Sequence, residues 1–157
     1  MRDDGWFSDL YREHSTAVYR YFVRRAAAED AEDLAAEVLA TAWRRRDDVP
    51  EGAELPWLYR TAGFVLANHR RKRRPVLVAE VPESAAGDDD PALAAVTDDE
   101  VRRALAALSE RDRQILVLHA WEGLTGAGLA DVLGISRGGA DAALSRARAR
   151  LGAAWAP

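Results

Sequence analysis

Cysteine is absent from all 157 residues, which removes both a disulfide framework and a thiolate zinc site; three scattered histidines cannot replace one. No run approaches the roughly 20 apolar residues that span a bilayer, so membrane insertion is not expected. The opening MRDDGWFSDL is acidic, whereas a secretory signal is basic and then apolar, and a cytoplasmic chain is expected. Alternating β-branched runs are missing too, while alanine, leucine and arginine abound, so propensity favours helix throughout. The fold class read from this is all-α. A clustered acid–base pair, a phosphate loop and a set of metal ligands are likewise absent, which speaks against an enzyme and against any bound metal or cofactor.

A net charge of -4 looks wrong for a nucleic-acid binder until the chain is divided. Residues 1 to 75 hold 14 basic and 13 acidic side chains, 76 to 100 hold none and 8, and 101 to 157 hold 8 and 5. Both flanks are therefore basic. The deficit sits between Val76 and Glu100, where Pro82, Gly87, Asp88 to Asp90 and Pro91 read as a flexible, self-solvated linker. The expected organisation is two small helical domains, residues 1–75 and 99–157, joined by an acidic linker at 76–98.

In the first domain, Phe7, Leu10, Tyr11, His14, Val18, Tyr21 and Phe22 recur at three- and four-residue spacing, predicting a helix from about Trp6 to Arg25. A second helix, about Glu29 to Arg46, turns Leu34, Val38, Leu39, Ala42 and Trp43 inward, with acidic residues at its positive end and Arg44 to Arg46 at its negative end. Pro50 and Gly52 make a loop of Asp47 to Glu54, and Pro56 opens a third helix where its missing N–H costs little. Trp57, Leu58, Phe64, Val65 and Leu66 are its apolar positions. It ends in HRRKRRP, with Pro75 as its stop.

The second domain reads as a short helix from Asp99 to Leu108, then one capped by Ser109 with Asp112 completing a variant capping box. Gly123 ends that helix, Thr125 caps a short one, Gly134 ends it, and Ser136 caps the last. The phrase Leu129-Ala130-x-x-Leu133-Gly134-Ile135-Ser136 specifies two helices about a tight turn, with Ala130 small where they approach. This is a helix-turn-helix, whose second helix enters the major groove of DNA. Arg137, Ser145, Arg146, Arg148 and Arg150 are the candidates to meet bases and phosphates, although cations near a helix C-terminus also complement its dipole.

A second candidate DNA-binding element is the basic run Arg70, Arg71, Lys72, Arg73 and Arg74, which either neutralises phosphates or is a solubility patch beside the linker. On the same helix Trp57, Tyr59, Arg60, Asn68 and His69 offer stacking, cationic and hydrogen-bonding groups for unpaired bases. Trp57 is assigned to the core. His69 has no carboxylate near it in sequence, so neither a catalytic nor a metal role is read for it.

These phrases in this order, LYREHSTAVYRYFVRR, DAEDLAAEVLATAWRR, PWLYRTAGFVLANHRRKRR and ALSERDRQILVLHAWEGLTGAGLADVLGISRGGADAALSRARARL, resemble the extracytoplasmic-function class of bacterial RNA polymerase sigma factors. The resemblance implies a first domain that binds the polymerase clamp and the minus-ten element, and a second that binds the flap and the minus-thirty-five element. It places the polymerase contact on Arg24, Arg25, Asp30, Asp33, Leu34 and Glu37, and a pocket for an extruded base in the loop Asp47 to Glu54. It implies core RNA polymerase, promoter DNA and an anti-sigma factor as partners. At three places the chain departs from the family: Ala36 stands in place of glutamine, Phe64 in place of asparagine, and Gly139, Ala140 and Asp141 in place of threonine, an apolar residue and lysine. Gly138 and Gly139 together cost the recognition helix roughly 2 kcal/mol relative to alanine, which predicts a frayed first turn. These departures motivate the alternative of a sigma-like interaction protein that holds polymerase or an anti-sigma partner without reading promoters.

Overall fold

A computed structural model describes residues 1–73 and 91–155 as helices and their connecting turns, with no strand among the described residues. Arg74, the expected stop at Pro75 and the acidic stretch through Asp90 lie outside the described residues. The chain divides into two compact units, Met1–Pro75 and Val76–Pro157.

The first unit is a bundle of three helices, α1 (Asp4–Val23), α2 (Ala28–Arg44) and α3 (Glu54–Arg73), each packed on the other two. The Asp3 carboxylate starts α1 by accepting the Trp6 N–H at 3.0 Å, satisfying one of the orphan donors of a helix end. Leu10, Val18, Tyr21 and Phe22 form its buried stripe, whereas Tyr11 is exposed although its spacing falls within that stripe. Against them α2 buries Ala31, Leu34, Ala35, Val38, Leu39 and Ala42. From α3 come Leu58, Tyr59, Ala62, Val65 and Leu66. Phe64, expected among the apolar inward positions, instead stands 65% exposed.

Between α2 and α3 a single 3₁₀ turn, Arg46–Asp48, leads into the buried Val49. Arg2 donates to the carbonyls of Arg46 and Val49, and Arg46 Nε returns a bond to Arg2 O at 3.2 Å, so the chain start is sewn to the loop. Because α3 begins at Glu54, Pro56 is its third residue and not its first, still inside the turn whose N–H groups lack intrahelical partners. The Glu54 carboxylate accepts the Gly52 N–H at 2.8 Å. Partial burial pushes its pKa upward, but the backbone N–H groups of Gly52 and Glu54 and the charges of His14 and Arg2 outweigh this and hold it below the ordinary 4.5. An acid depressed in the folded state contributes stability above its unfolded value and loses it as pH falls through the folded one. Acid titration of the unfolding midpoint should show this loss beginning below pH 4.5, and Glu54→Gln should flatten that part of the curve.

The second unit begins earlier than the linker reading implied. Pro91–Ala95 forms a 3₁₀ turn against the next helix, with Ala92 and Leu93 buried, because two apolar side chains among the acids suffice to pin the segment. Asp98 then caps α4 (Asp99–Ala106), its Oδ1 accepting the N–H groups of Glu100 at 2.9 Å and Val101 at 3.3 Å. Ser109 caps α5 (Glu110–Glu122) through a 3.1 Å bond from the Asp112 N–H. The Asp112 side chain gives no return bond, being engaged elsewhere, so half of the capping box forms. Thr125 occupies the cap position of α6 (Gly126–Leu133) without a side-chain bond. Ser136 Oγ caps α7 (Arg137–Trp155) by accepting the Gly139 N–H at 3.0 Å, and the helix is regular from Arg137 onward despite its paired glycines.

Two glycines make the turns possible. Gly123 and Gly134 end α5 and α6 at φ of 67° and 68°, a left-handed conformation that costs other residues roughly 1–2 kcal/mol. Helix α7 packs on α4, α5 and α6 and buries Ala140, Leu144 and Ala147, while Ile115, Leu118 and Leu129 fill the core. Buried Arg113 donates to the carbonyls of Leu105, Ala106 and Leu108, closing the otherwise open C-terminal end of α4.

Candidate nucleic-acid interface

On α3, Trp57, Thr61, Phe64, Asn68 and Arg71 recur at spacings of four, three, four and three, so they share one face running roughly 21 Å along the helix. Glu37 and Thr41 of α2 and Arg45 at its C-cap, four residues apart, line a cleft with them. Arg60 and Val65 complete this cleft of about 590 Å³. The Arg45 guanidinium lies 5.7 Å from the Trp57 ring and that of Arg60 lies 5.9 Å from the Phe64 ring. Asn68 Oδ1 accepts from Arg71 Nη2 at 3.1 Å, which orients the Asn68 amide at the cleft. Thr41 is internally satisfied, donating to Glu37 O at 2.8 Å and accepting from Arg44 at 3.0 Å. Chemically the cleft offers ring faces for stacking, cations for phosphates and an oriented amide for a base edge.

Around the basic end of α3, the candidates separate by their partners. Arg73 Nη2 and His69 Nε2 reach the same Asp30 oxygen, at 2.8 and 3.4 Å. His69 thus has a carboxylate partner after all, one brought by α2 from 39 positions away, and both side chains brace α3 against the start of α2. Arg70 Nη2 bonds to Arg25 O at 3.4 Å. Tyr59, considered for stacking on bases, is buried and stacked on Tyr21 with centroids 5.8 Å apart. Arg60, Arg71 and Lys72 are exposed and Asn68 is half-buried at the cleft. None of residues 47–54 lines the cleft, so the loop expected to pocket an extruded base is not its wall.

The residues ascribed to polymerase contact divide likewise. Leu34 is 5% exposed, because its position is on the inward stripe of α2, and it is withdrawn from any partner. Arg25 is equally buried, its guanidinium 3.9 Å from the Tyr21 ring centre and bonded to Tyr21 O at 3.2 Å; it serves the fold. Asp30 is committed to His69 and Arg73. Arg24 is half-buried, and Asp33 and Glu37 stand exposed on α2.

In the helix-turn-helix, burial of Ala140, Leu144 and Ala147 turns Gly138, Ala142, Ser145 and Arg146 outward, with Asp141 also exposed. Arg137 is exposed at the start of α7, its Nε 3.3 Å from where a Cβ on Gly126 would stand. Arg148 and Arg150 are exposed too, but each has a partner on α5. Arg148 Nη2 meets His119 Nε2 at 2.7 Å, while His119 Nδ1 contacts Leu124 O at 3.0 Å. Arg150 Nη1 bonds both oxygens of buried Asp112, at 3.1 and 3.0 Å. These two arginines tie α7 to α5, a structural role that stands beside their reading as DNA ligands.

Sequence reasoning had put Trp57 and Phe64 in the core and had not singled out Thr41, Arg45 or Thr61. The signal was available in the 57-61-64-68-71 stripe, which mixes aromatic, polar and cationic residues where a core stripe stays apolar. Among the described residues no group of three or more histidines or acids is placed to hold a metal ion, and no helix is long and apolar enough to cross a membrane.

A three-helix unit with an aromatic, cationic cleft, followed in the chain by a helix-turn-helix unit, is the layout of a sigma-type transcription initiation factor. Residues 10–76 match the family described as Sigma-70 region 2 and residues 98–151 match Sigma-70, region 4. The ECF RNA polymerase sigma factor SigF of Caulobacter vibrioides is 35% identical over 134 residues, 81% of this chain and 73% of that one. SigL of Mycobacterium tuberculosis is 29% identical over 136 residues, 82% of this chain and 77% of that one. A third relative, "Probable RNA polymerase sigma factor RfaY" of Xanthomonas campestris, is 33% identical over 87% of this chain, which spans 36% of that protein's length. The fold is shared with CnrH, solved in complex with the cytosolic domain of CnrY (TM-score 0.65, 24% identity, 96% of this chain and 88% of that chain). It is shared also with RpoE of Bartonella quintana, solved with the anti-sigma factor NepR (TM-score 0.63, 22% identity, 94% and 95%). The chain belongs to the extracytoplasmic-function family of RNA polymerase sigma factors.

Proposed function

We propose that this chain joins core RNA polymerase and directs it to a two-part promoter, its α3 cleft holding the opened minus-ten strand and its helix-turn-helix seated at the minus-thirty-five element. The observation that carries the reading is the α3 stripe: ring faces, an oriented amide and guanidinium groups in one groove suit a strand whose bases are unstacked and whose phosphates are charged. On α2 the exposed Asp33 and Glu37 suit basic residues of the polymerase clamp. Upstream, Arg146 and Arg137 of α7 suit DNA. An anti-sigma partner is supported by CnrH and RpoE, each solved with a partner protein. The role asks no catalysis of this chain, and its place of work is the cytoplasm.

The test is reconstitution with bacterial core polymerase and a search for specific run-off transcripts from promoters of the source genome. Transcripts are expected; core binding without transcripts would turn the assignment to a polymerase-binding interaction protein. Arg146→Ala should weaken duplex binding at the upstream element, and Arg71→Ala should lower the slope of log affinity against log salt by about one. Equal affinity and slope in both variants would remove both arginines from the interface.

A further inference from the structure

We propose that the cleft reads one unpaired base by stacking alone, on Phe64, and so without regard to base identity, while Asn68 reads the neighbouring base through its side-chain amide. The inference rests on the strand-holding role proposed above and goes beyond it, because it says which positions of the strand carry sequence information.

An isolated exposed phenylalanine is ordinary, but Phe64 is 65% exposed in the wall of a concave site, with Arg60 5.9 Å from its ring. A benzyl ring has neither donor nor acceptor. Its attraction for a base therefore runs through the ring face, which every base also has, and such stacking tolerates any sequence. One turn further, Asn68 is of the opposite kind. Its Oδ1 accepts from Arg71 at 3.1 Å and keeps a second lone pair beside the two N–H donors, so the oriented amide matches a base edge that pairs an acceptor with a donor. Arg71 is thereby a positioning residue for the amide. Four residues of helix separate Phe64 from Asn68 by roughly 6 Å, close to the step between successive nucleotides of an extended strand. Arg60 lies beside the stacked position and suits its phosphate.

The experiment uses holoenzyme and forked promoter DNA in which each melted non-template position carries each of the four bases or an abasic site, with affinity read by fluorescence anisotropy. At one position the four bases should bind within about threefold of one another, while the abasic site weakens binding by roughly 5- to 150-fold, the range expected for one stacked base. Phe64→Ala should erase that abasic penalty, Phe64→Tyr should keep it, and both variants should unfold at the wild-type temperature, since the ring is exposed. The adjacent position should show a base preference that Asn68→Ala abolishes and Arg71→Ala blurs without loss of core binding. Strong discrimination among bases at the Phe64-dependent position, or an abasic penalty that survives in Phe64→Ala, overturns the inference and leaves the strand-holding role intact. A wild-type holoenzyme that binds forked and fully paired DNA equally overturns the strand-holding role, and this inference falls with it.

Discussion

Arg150→Ala is expected to lower the stability of the second unit by about 2–3 kcal/mol and to leave the salt dependence of DNA binding unchanged. Asp112 is 8% exposed and takes both bonds from one Arg150 nitrogen, at 3.1 and 3.0 Å. Removing the arginine strands a buried carboxylate, the costly half of such a pair. Arg150 itself is 57% exposed, which brings the figure below the roughly 3–5 kcal/mol seen when a fully buried pair is broken. In a unit of this size the midpoint should fall by about 10 °C or more. Asp112→Ala should cost less, because the guanidinium it frees can turn to water. In the double variant the loss of Arg150 should add little, the mark of one shared interaction in a double-mutant cycle. Calorimetry of the full chain and a salt titration of upstream-element binding, both below the variant's midpoint, decide the matter. A salt slope reduced by about one with an unmoved midpoint would restore Arg150 as a phosphate ligand.

What could be read from the chain alone was local. Gly123, Gly134, Ser109 and Ser136 mark the ends of α5, α6 and α7 because a left-handed residue or a cap is specified within three or four positions. The inward stripe of α2 was legible for the same reason, and the same periodicity should have withdrawn Leu34 from the list of partner contacts. What escaped was nonlocal. His69 meets Asp30 and Arg150 meets Asp112 across 39 and 38 positions, and no spacing rule announces an ion pair at that range. For Arg148 and Arg150 the sequence offered only the helix dipole as an alternative to DNA, whereas packing gives each of them a partner on α5. The cleft escaped for a different reason. A phenylalanine at helical spacing is normally core, and α3 has two apolar-bearing faces, of which Leu58, Tyr59, Ala62, Val65 and Leu66 fill one and Trp57 and Phe64 mark the other.

The contrast between two phenylalanines puts that distinction to its largest test. Phe22 is fully buried, with Tyr21 edge-on at 5.2 Å, on the helix that packs against both α2 and α3. Phe22→Ala is expected to cost about 3–5 kcal/mol in lost burial and residual cavity. A unit of this length has a total stability on the order of 5 kcal/mol, so the variant's first unit should be largely unfolded at 37 °C. Because α1 holds α2 and α3 together, the cleft and the exposed acids of α2 should disappear at once, and holoenzyme assembly with them. Phe22→Leu, which keeps most of the volume, should cost less than about 1.5 kcal/mol and retain assembly. Phe64→Ala should do the reverse, leaving midpoint and assembly untouched while changing DNA affinity. Thermal unfolding followed by circular dichroism, paired with core-binding assays, separates the two outcomes. If Phe22→Ala melted with the wild type, or Phe64→Ala melted far below it, the assignment of one ring to the core and the other to the cleft would be wrong.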